Sequence, residues 1–196
     1  MNKVLQFTDE HRLWAAFCQG DEAAYRQLYE QYVPGLYSYG MKLTRDEALV
    51  KDCVQELFIR IWNTRQSLGQ AQSIKFYLSS ALRRDLIRQL QQQKTLTPDE
   101  LEAYDFTVSL DTEALFIQQE IKSEQVERLN QLLNGLPPRQ KEALYLKYYE
   151  NLSYEEIAGL MHITPGVAYN FVYRAILSLK RYWLTTQIIW LFVGLA

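Results

Sequence analysis

Apolar side chains recur along this chain at intervals of three and four, the spacing that lines one face of a helix. Leu13, Trp14, Ala16 and Phe17 predict a short helix over residues 8–19 with Thr8 as its N-cap. Gly20-Asp21 interrupts it, and Asp21 caps a second helix whose inward residues are Ala24, Tyr25, Leu28, Tyr29 and Tyr32. Pro34-Gly35 either kinks or ends that helix. Thr44-Arg45-Asp46-Glu47 has the form of a capping box. The helix it opens sets Val50, Cys53, Val54, Leu57, Phe58 and Ile61 on a broad apolar side. Asp52, Gln55, Glu56 and Asn63 fall on another stripe. A helix from about Ser73 to Gln93 buries Leu78, Ala81, Leu82, Leu86 and Leu90 and carries Lys75, Arg83, Arg84 and Arg88.

A second group of helices follows Leu136-Pro137-Pro138, with proline in the first helical turn. One helix runs through Leu144 to about Tyr149, and Asn151 suits its C-terminal turn. Ser153-Tyr154-Glu155-Glu156 is a second capping box, opening a short helix with Ile157, Ala158 and Leu160. After the tight turn His162-Ile163-Thr164, Thr164 caps and Pro165 begins a long helix with Ala168, Val172, Ala175 and Leu179 inward. Strand signals are poor: no run of β-branched residues alternates, and hairpin dipeptides are almost absent. The reading is an all-α chain.

At 196 residues and 48% hydrophobic, the chain suits one or two domains with a packed core. Its net charge of −2 hides a pattern. Residues 1–94 sum to +3, residues 95–127 to −8 and residues 128–196 to +3. Two mildly basic lobes are thus joined by an acidic connector, residues 95–127, in which Ile117–Val126 leads toward the next helix. The domain expectation is 8–94, an acidic linker 95–127, 128–183, and an apolar tail 184–196. No apolar h-region follows Met1, so residues 1–12 do not read as a signal peptide. Cys18 and Cys53 lie inside helical apolar patterns and read as reduced core thiols, which implies a cytoplasmic location.

The most specific signal lies in residues 153–174, where a short helix, a tight turn and a longer helix follow the helix-turn-helix plan. The plainer alternative is a helical hairpin within a bundle. Tyr169, Asn170, Tyr173 and Arg174 face away from the inner stripe and each can donate hydrogen bonds. Asn pairs bidentately with adenine, and Arg binds guanine or phosphate. With Thr164, Pro165 and Gly166 at the helix start, they form the candidate base-reading set. A second set, Lys75, Phe76, Tyr77, Arg83, Arg84 and Arg88, places aromatics beside cations. Bases stack on rings while cations track phosphates, so this suits single-stranded DNA; core aromatics with a solvated basic face are the alternative. The stripe Asp52, Gln55, Glu56 and Asn63 is unsuited to DNA and suits either a basic protein partner or plain solvation. No Cys-x-x-Cys, His pair at ligand spacing, Gly-rich phosphate loop or nucleophile elbow occurs, so no catalytic residue, metal site or cofactor is expected.

These residues resemble a known family. Gly20-Asp21-x-x-Ala24-Tyr25-x-x-Leu28-Tyr29-x-x-Tyr32 resembles the opening of the region-2 domain of sigma factors. Asp52-x-x-Gln55-Glu56-x-Phe58-x-x-x-Trp62 resembles the segment by which that domain grips the clamp of the polymerase β′ subunit. Leu136-Pro137-x-Arg139-Gln140 and Leu152-Ser153-Tyr154-Glu155-Glu156-Ile157-Ala158 resemble region 4, whose helix-turn-helix reads the −35 element. The resemblance covers residues 8–183 and, from its shortness, points to the extracytoplasmic-function group of the sigma-70 family. It implies two helical domains, a region-2 bundle and a region-4 helix-turn-helix. Its implied partners are RNA polymerase core (β′ clamp and β flap), promoter DNA and an anti-sigma factor, with no small-molecule substrate. It assigns Asp52, Gln55, Glu56 and Asn63 to core binding, Lys75 to Arg88 and the preceding loop to the −10 element, and the Thr164–Arg174 set to −35.

The chain departs from the family pattern in three places. Tyr169 and Phe171 stand where the recognition helix often has basic residues, and Gln91-Gln92-Gln93 where arginines often follow region 2. Fewer phosphate contacts mean weaker binding with a shallower salt dependence, so tight promoter binding is expected to need the polymerase core. Phe171 packs within the lobe on the alternative reading. The run Ile188–Ala196 is far shorter than the ~20 residues of a membrane helix. It either docks on the protein's own surface or meets a partner or membrane surface. Two rival functions remain open: a stand-alone helix-turn-helix regulator, and a sigma-like module that sequesters a partner.

Overall fold

The computed structural model describes residues 9–71, 73–94, 106–107 and 123–193. Eight α-helices lie among them, in two compact units divided between Leu101 and Glu102. In the first unit are α1 (Glu10–Cys18), α2 (Glu22–Leu43), α3 (Glu47–Thr64) and α4 (Ile74–Lys94), with a 3-10 turn at Arg65–Ser67. The second contains α5 (Ser123–Asn134), α6 (Pro138–Tyr148), α7 (Tyr154–Met161) and α8 (Pro165–Val193).

Helix α1 starts from Asp9, whose carboxylate accepts from the His11 N–H at 2.9 Å. Thr8, the expected cap, lies outside the described residues. Leu13, Trp14 and Phe17 are buried as the spacing predicts. Asp21 caps α2 through the N–H groups of Ala23 and Ala24. Of the residues expected inward on α2, Ala24, Leu28 and Tyr32 are buried, while Tyr25 is intermediate and Tyr29 largely exposed.

Pro34 neither ends nor divides α2, which continues to Leu43. A proline inside a helix removes one backbone hydrogen bond and costs about 3 kcal/mol. Its ring is exposed here, and burial on both sides of it (Leu28 and Tyr32 before, Leu36, Tyr39 and Leu43 after) holds the helix together. That inner face packs on α3 and α4. Gly40 sets the closeness of the crossing: a Cβ there would lie 2.7 Å from Val50 Cγ1 and 3.4 Å from Leu86 Cδ1.

The expected Thr44–Glu47 capping box does not form. Asp46 is the N-cap of α3 and accepts from the Leu49 N–H at 3.0 Å, while Thr44 ends α2. Glu47 turns to Lys51 (2.6 Å), whose hydrogen bond and charge hold its carboxyl below the usual range. Cys53 is a buried free thiol, pushed up to about 11 by burial and then by the nearby Asp85 carboxylate.

In the second unit the local signals hold more closely. Pro138 opens α6, and Asn151 takes a left-handed φ of 58° just beyond it. Ser153 and Glu156 form the reciprocal box, Ser153 Oγ accepting from the Glu156 N–H at 3.1 Å and Glu156 Oε2 from the Ser153 N–H at 2.8 Å. Ile157 and Ala158 of α7 and Ala168, Val172 and Ala175 of α8 are buried, and α8 packs on both α6 and α7.

Two findings alter the expected boundaries. Phe106, placed in the linker by its charge context, is fully buried in the second unit, its ring 5.7 Å from that of Tyr145. Residues 95–105 and 108–122 lie outside the described residues. Helix α8 carries the backbone of the expected tail as far as Val193; the tail's side chains and residues 194–196 lie outside the described residues. No helix among the described residues is long and apolar enough to cross a membrane.

Candidate functional site

Each unit presents a surface built by helical geometry. On α3, Asp52, Gln55, Glu56 and Asn63 are all exposed, opposite the buried Val50, Cys53, Val54, Leu57, Phe58 and Ile61. Ile59 completes the stripe: it lies seven residues after Asp52 and four before Asn63, and it is 50% exposed. An isoleucine so open at the middle of a polar stripe suits an anchor for a partner surface. The sequence reading leaves Ile59 out of both stripes, although its helical offset places it on this one.

The first turn of α4 holds Lys75, Phe76 and Tyr77, all at intermediate exposure. Tyr77 stands edge-on to Trp14 with ring centroids 5.3 Å apart, which fixes one face of its ring against α1. Trp14 also donates its indole N–H to the Gly69 carbonyl at 2.9 Å, tying the loop before α4 to the same helix. Ser73 Oγ accepts from the Phe76 N–H at 3.1 Å and starts α4 at the loop's end. Residue 72 in this loop lies outside the described residues.

The basic residues of α4 divide. Arg84 is exposed as expected. Arg88 is exposed too, but pairs with Asp85 at 3.4 Å, and the same buried carboxylate takes Arg60 from α3 at 2.5 Å. Arg83 is only 6% exposed, so its expected place on the DNA-facing side is corrected. The spacing that puts Arg84 outward turns Arg83 by 100° toward the neighbouring helices. Charge alone could not separate these two adjacent arginines.

In the second unit α6, α7 and α8 pack together. Arg139 donates to the Met161 carbonyl at 3.2 Å and lies over the Phe171 ring at 5.7 Å. Phe171 therefore packs within the unit. His162 turns the chain with a left-handed φ of 55°, and Thr164 Oγ1 accepts from the Val167 N–H at 3.4 Å as α8 begins. All seven expected reading residues, Thr164, Pro165, Gly166, Tyr169, Asn170, Tyr173 and Arg174, are exposed. The last five recur at three- and four-residue steps and share the outer face of α8. A lattice of rings adjoins them: Lys147 lies over Tyr154 (4.7 Å), Tyr154 stands edge-on to Tyr169 (5.4 Å), and Tyr169 stacks on Tyr173 (6.1 Å).

Such a helix can enter a major groove, and its donors can reach base edges. No cluster of three metal-ligating side chains occurs among the described residues.

Two family profiles span these surfaces. The family profile described as Sigma-70 region 2 matches residues 28–95, and that described as Sigma-70, region 4 matches residues 126–179. The chain is similar to the ECF RNA polymerase sigma factor SigM of Bacillus subtilis (strain 168), 27% identical over 79% of this chain and 91% of the relative. It is also similar to SigX of the same organism, 22% identical over 82% of this chain and 84% of the relative. Two solved structures share the fold. The sigma factor RpoE, in complex with the anti-sigma factor NepR from Bartonella quintana, aligns with a TM-score of 0.57 at 21% identity, over 80% of this chain and 94% of that one. CnrH, in complex with the cytosolic domain of CnrY, aligns with a TM-score of 0.59 at 16% identity, over 90% and 97%. The two profiles together match more than half of the chain, each on its own compact unit, and this protein belongs to the extracytoplasmic-function group of the sigma-70 family of RNA polymerase sigma factors.

Proposed function

We propose that this chain directs promoter-specific transcription initiation through three separate surfaces. The α3 stripe of Asp52, Gln55, Glu56, Ile59 and Asn63 grips the β′ clamp of the polymerase core. Lys75, Phe76, Tyr77, Arg84 and Arg88, with the loop before α4, take hold of the −10 element as it melts. Unstacking a base costs a few kcal/mol, which ring stacking and phosphate pairing offset. The outer face of α8 from Thr164 to Arg174 reads the −35 duplex. The bond-making chemistry belongs to the polymerase alone. A cytoplasmic location and control by an anti-sigma factor complete the reading; the similar sigma factor RpoE, in complex with the anti-sigma factor NepR, supports that control.

One observation carries this reading: a polar helix stripe unsuited to DNA and an exposed helix-turn-helix face occur in one chain. A stand-alone regulator would leave the α3 stripe without a task. The test is run-off transcription by the purified chain with bacterial core polymerase on a genomic fragment library. Transcripts sharing −35 and −10 elements support the reading; core binding without specific transcripts supports a sequestering module instead.

Arg174→Ala is expected to lower transcription and blunt discrimination at one −35 position by about 1–3 kcal/mol, the worth of a bidentate base contact. Unaltered promoter choice would remove Arg174 from the reading set. Gly166 supplies a steric test of the same face. A Cβ there meets nothing within 4 Å in the protein itself. Gly166→Ala is expected to leave the melting temperature unchanged or raise it, since glycine in a helix costs about 0.5–1 kcal/mol relative to alanine. Promoter affinity of the holoenzyme is expected to fall, because the added methyl enters the space the DNA backbone needs. Equal affinity would show that DNA does not approach the start of α8.

A further inference from the structure

We infer that Tyr169 and Tyr173 are specificity-determining residues that recognise thymine methyl groups in the −35 duplex. The inference rests on the reading of α8 as the −35 helix and adds what kind of base it selects. The two rings are 51% and 50% exposed and lie beside Asn170 and Arg174 on the outer face of α8. They are nearly parallel, at an interplanar angle of 9°. Tyr154, from α7, braces Tyr169 edge-on at 71° and is itself covered by the Lys147 ammonium. The rings are therefore held before any DNA arrives, and a tyrosine has little rotamer freedom left to lose.

A preset aromatic surface offers the major groove little charge and much apolar area. Among the base edges exposed there, only thymine carries a methyl group, and apolar side chains distinguish it by contact with that methyl. Charge complementarity favours DNA as the occupant: residues 128–196 carry a net +3, with Arg174 on the same face as the rings. The ring centroids are 6.1 Å apart. That is close to two base steps of about 3.4 Å, so the pair addresses thymines within two steps of each other. Asn170 and Arg174, flanking the rings, remain free to take adenine and guanine at adjacent positions.

The test uses the wild-type chain assembled with core polymerase, on a promoter drawn from the run-off experiment. Each −35 thymine is replaced singly by deoxyuridine, which removes the methyl and keeps the base pair. Two sensitive positions are expected, each losing about fourfold in affinity, the equivalent of one buried methylene. Holoenzymes carrying Tyr169→Ala or Tyr173→Ala are each expected to become indifferent to deoxyuridine at one of those positions. Neutral deoxyuridine at every position, with −35-dependent transcription intact, would overturn the inference and leave the proposed function standing. The inference also fails if the tyrosine variants lose affinity equally on both templates, or if the −35 element holds no thymine. Absence of any −35-dependent transcription would bring down the functional reading and this inference together. The template series needs no variant, so misfolding of a substituted chain does not blunt the test.

Discussion

Phe106→Ala is expected to destabilise the second unit by about 3–5 kcal/mol, the usual cost of deleting a fully buried phenylalanine. A domain of ordinary stability has about 5–15 kcal/mol in all, so this is a large share of it. The ring is 0% exposed and packs on Tyr145, which is itself buried, stacks on Tyr149 at 4.8 Å and donates its hydroxyl to Glu150 at 2.6 Å. The cavity would open beside that hydrogen bond, and a core this dense relaxes only in part. Hydrogen exchange through a urea series separates the units. Amides of α6, α7 and α8 are expected to lose protection at lower urea, while those of α2, α3 and α4 keep theirs. Equal protection in both units would show that Phe106 is not part of the second core.

The second large effect is on assembly. Gln55→Ala, Glu56→Ala and Ile59→Asp combined are expected to weaken binding to core polymerase by at least about 100-fold, a loss typical of removing interface hot spots. All three side chains are exposed on α3, so substituting them leaves no cavity. Each substitution is expected to change the stability of the folded chain by no more than about 0.5 kcal/mol. Ile59→Asp alone is expected to contribute most, because it buries a charge where the stripe's apolar side chain would meet the partner. Affinity for core and the thermal melt, measured together, distinguish a lost contact from a lost fold. Full core affinity in the triple variant would remove α3 from the clamp assignment.

Ile59 shows why an interface is harder to read than a core. Its period places it among Asp52, Gln55, Glu56 and Asn63, but in the chain it sits in the apolar run Leu57-Phe58-Ile59, where nothing local sets it apart from its buried neighbours. The adjacent arginines of α4 show the converse. Arg83 and Arg84 are alike in sequence, yet one is buried and the other exposed. Which side of a helix is covered depends on the neighbouring helices, here α2 and α3. Asp85 pairs with Arg88 one turn on, but also with Arg60 of α3, 25 positions away in the chain.

The two capping boxes mark the boundary between local and tertiary control. Ser153–Glu156 forms as its sequence suggests, because both partners lie within one turn and nothing nearby competes. Thr44–Glu47 has the same form but yields to Asp46, a second good cap two residues on, and to Lys51, which draws Glu47 away along the helix. Pro34 gives the opposite result: a strong local breaker is overridden by burial on both sides of it.

Local spacing was enough for most of the helices and their apolar faces, the turn of the helix-turn-helix and the outward set on α8. Each depends on residues within a turn or two of one another, where backbone geometry leaves few choices. Tertiary structure alone decided which cations stay at the surface, that Phe106 belongs to the second core, and that Tyr154, Tyr169 and Tyr173 form one braced surface. Those outcomes depend on which helix faces meet, and burial is set by contacts between residues distant in sequence.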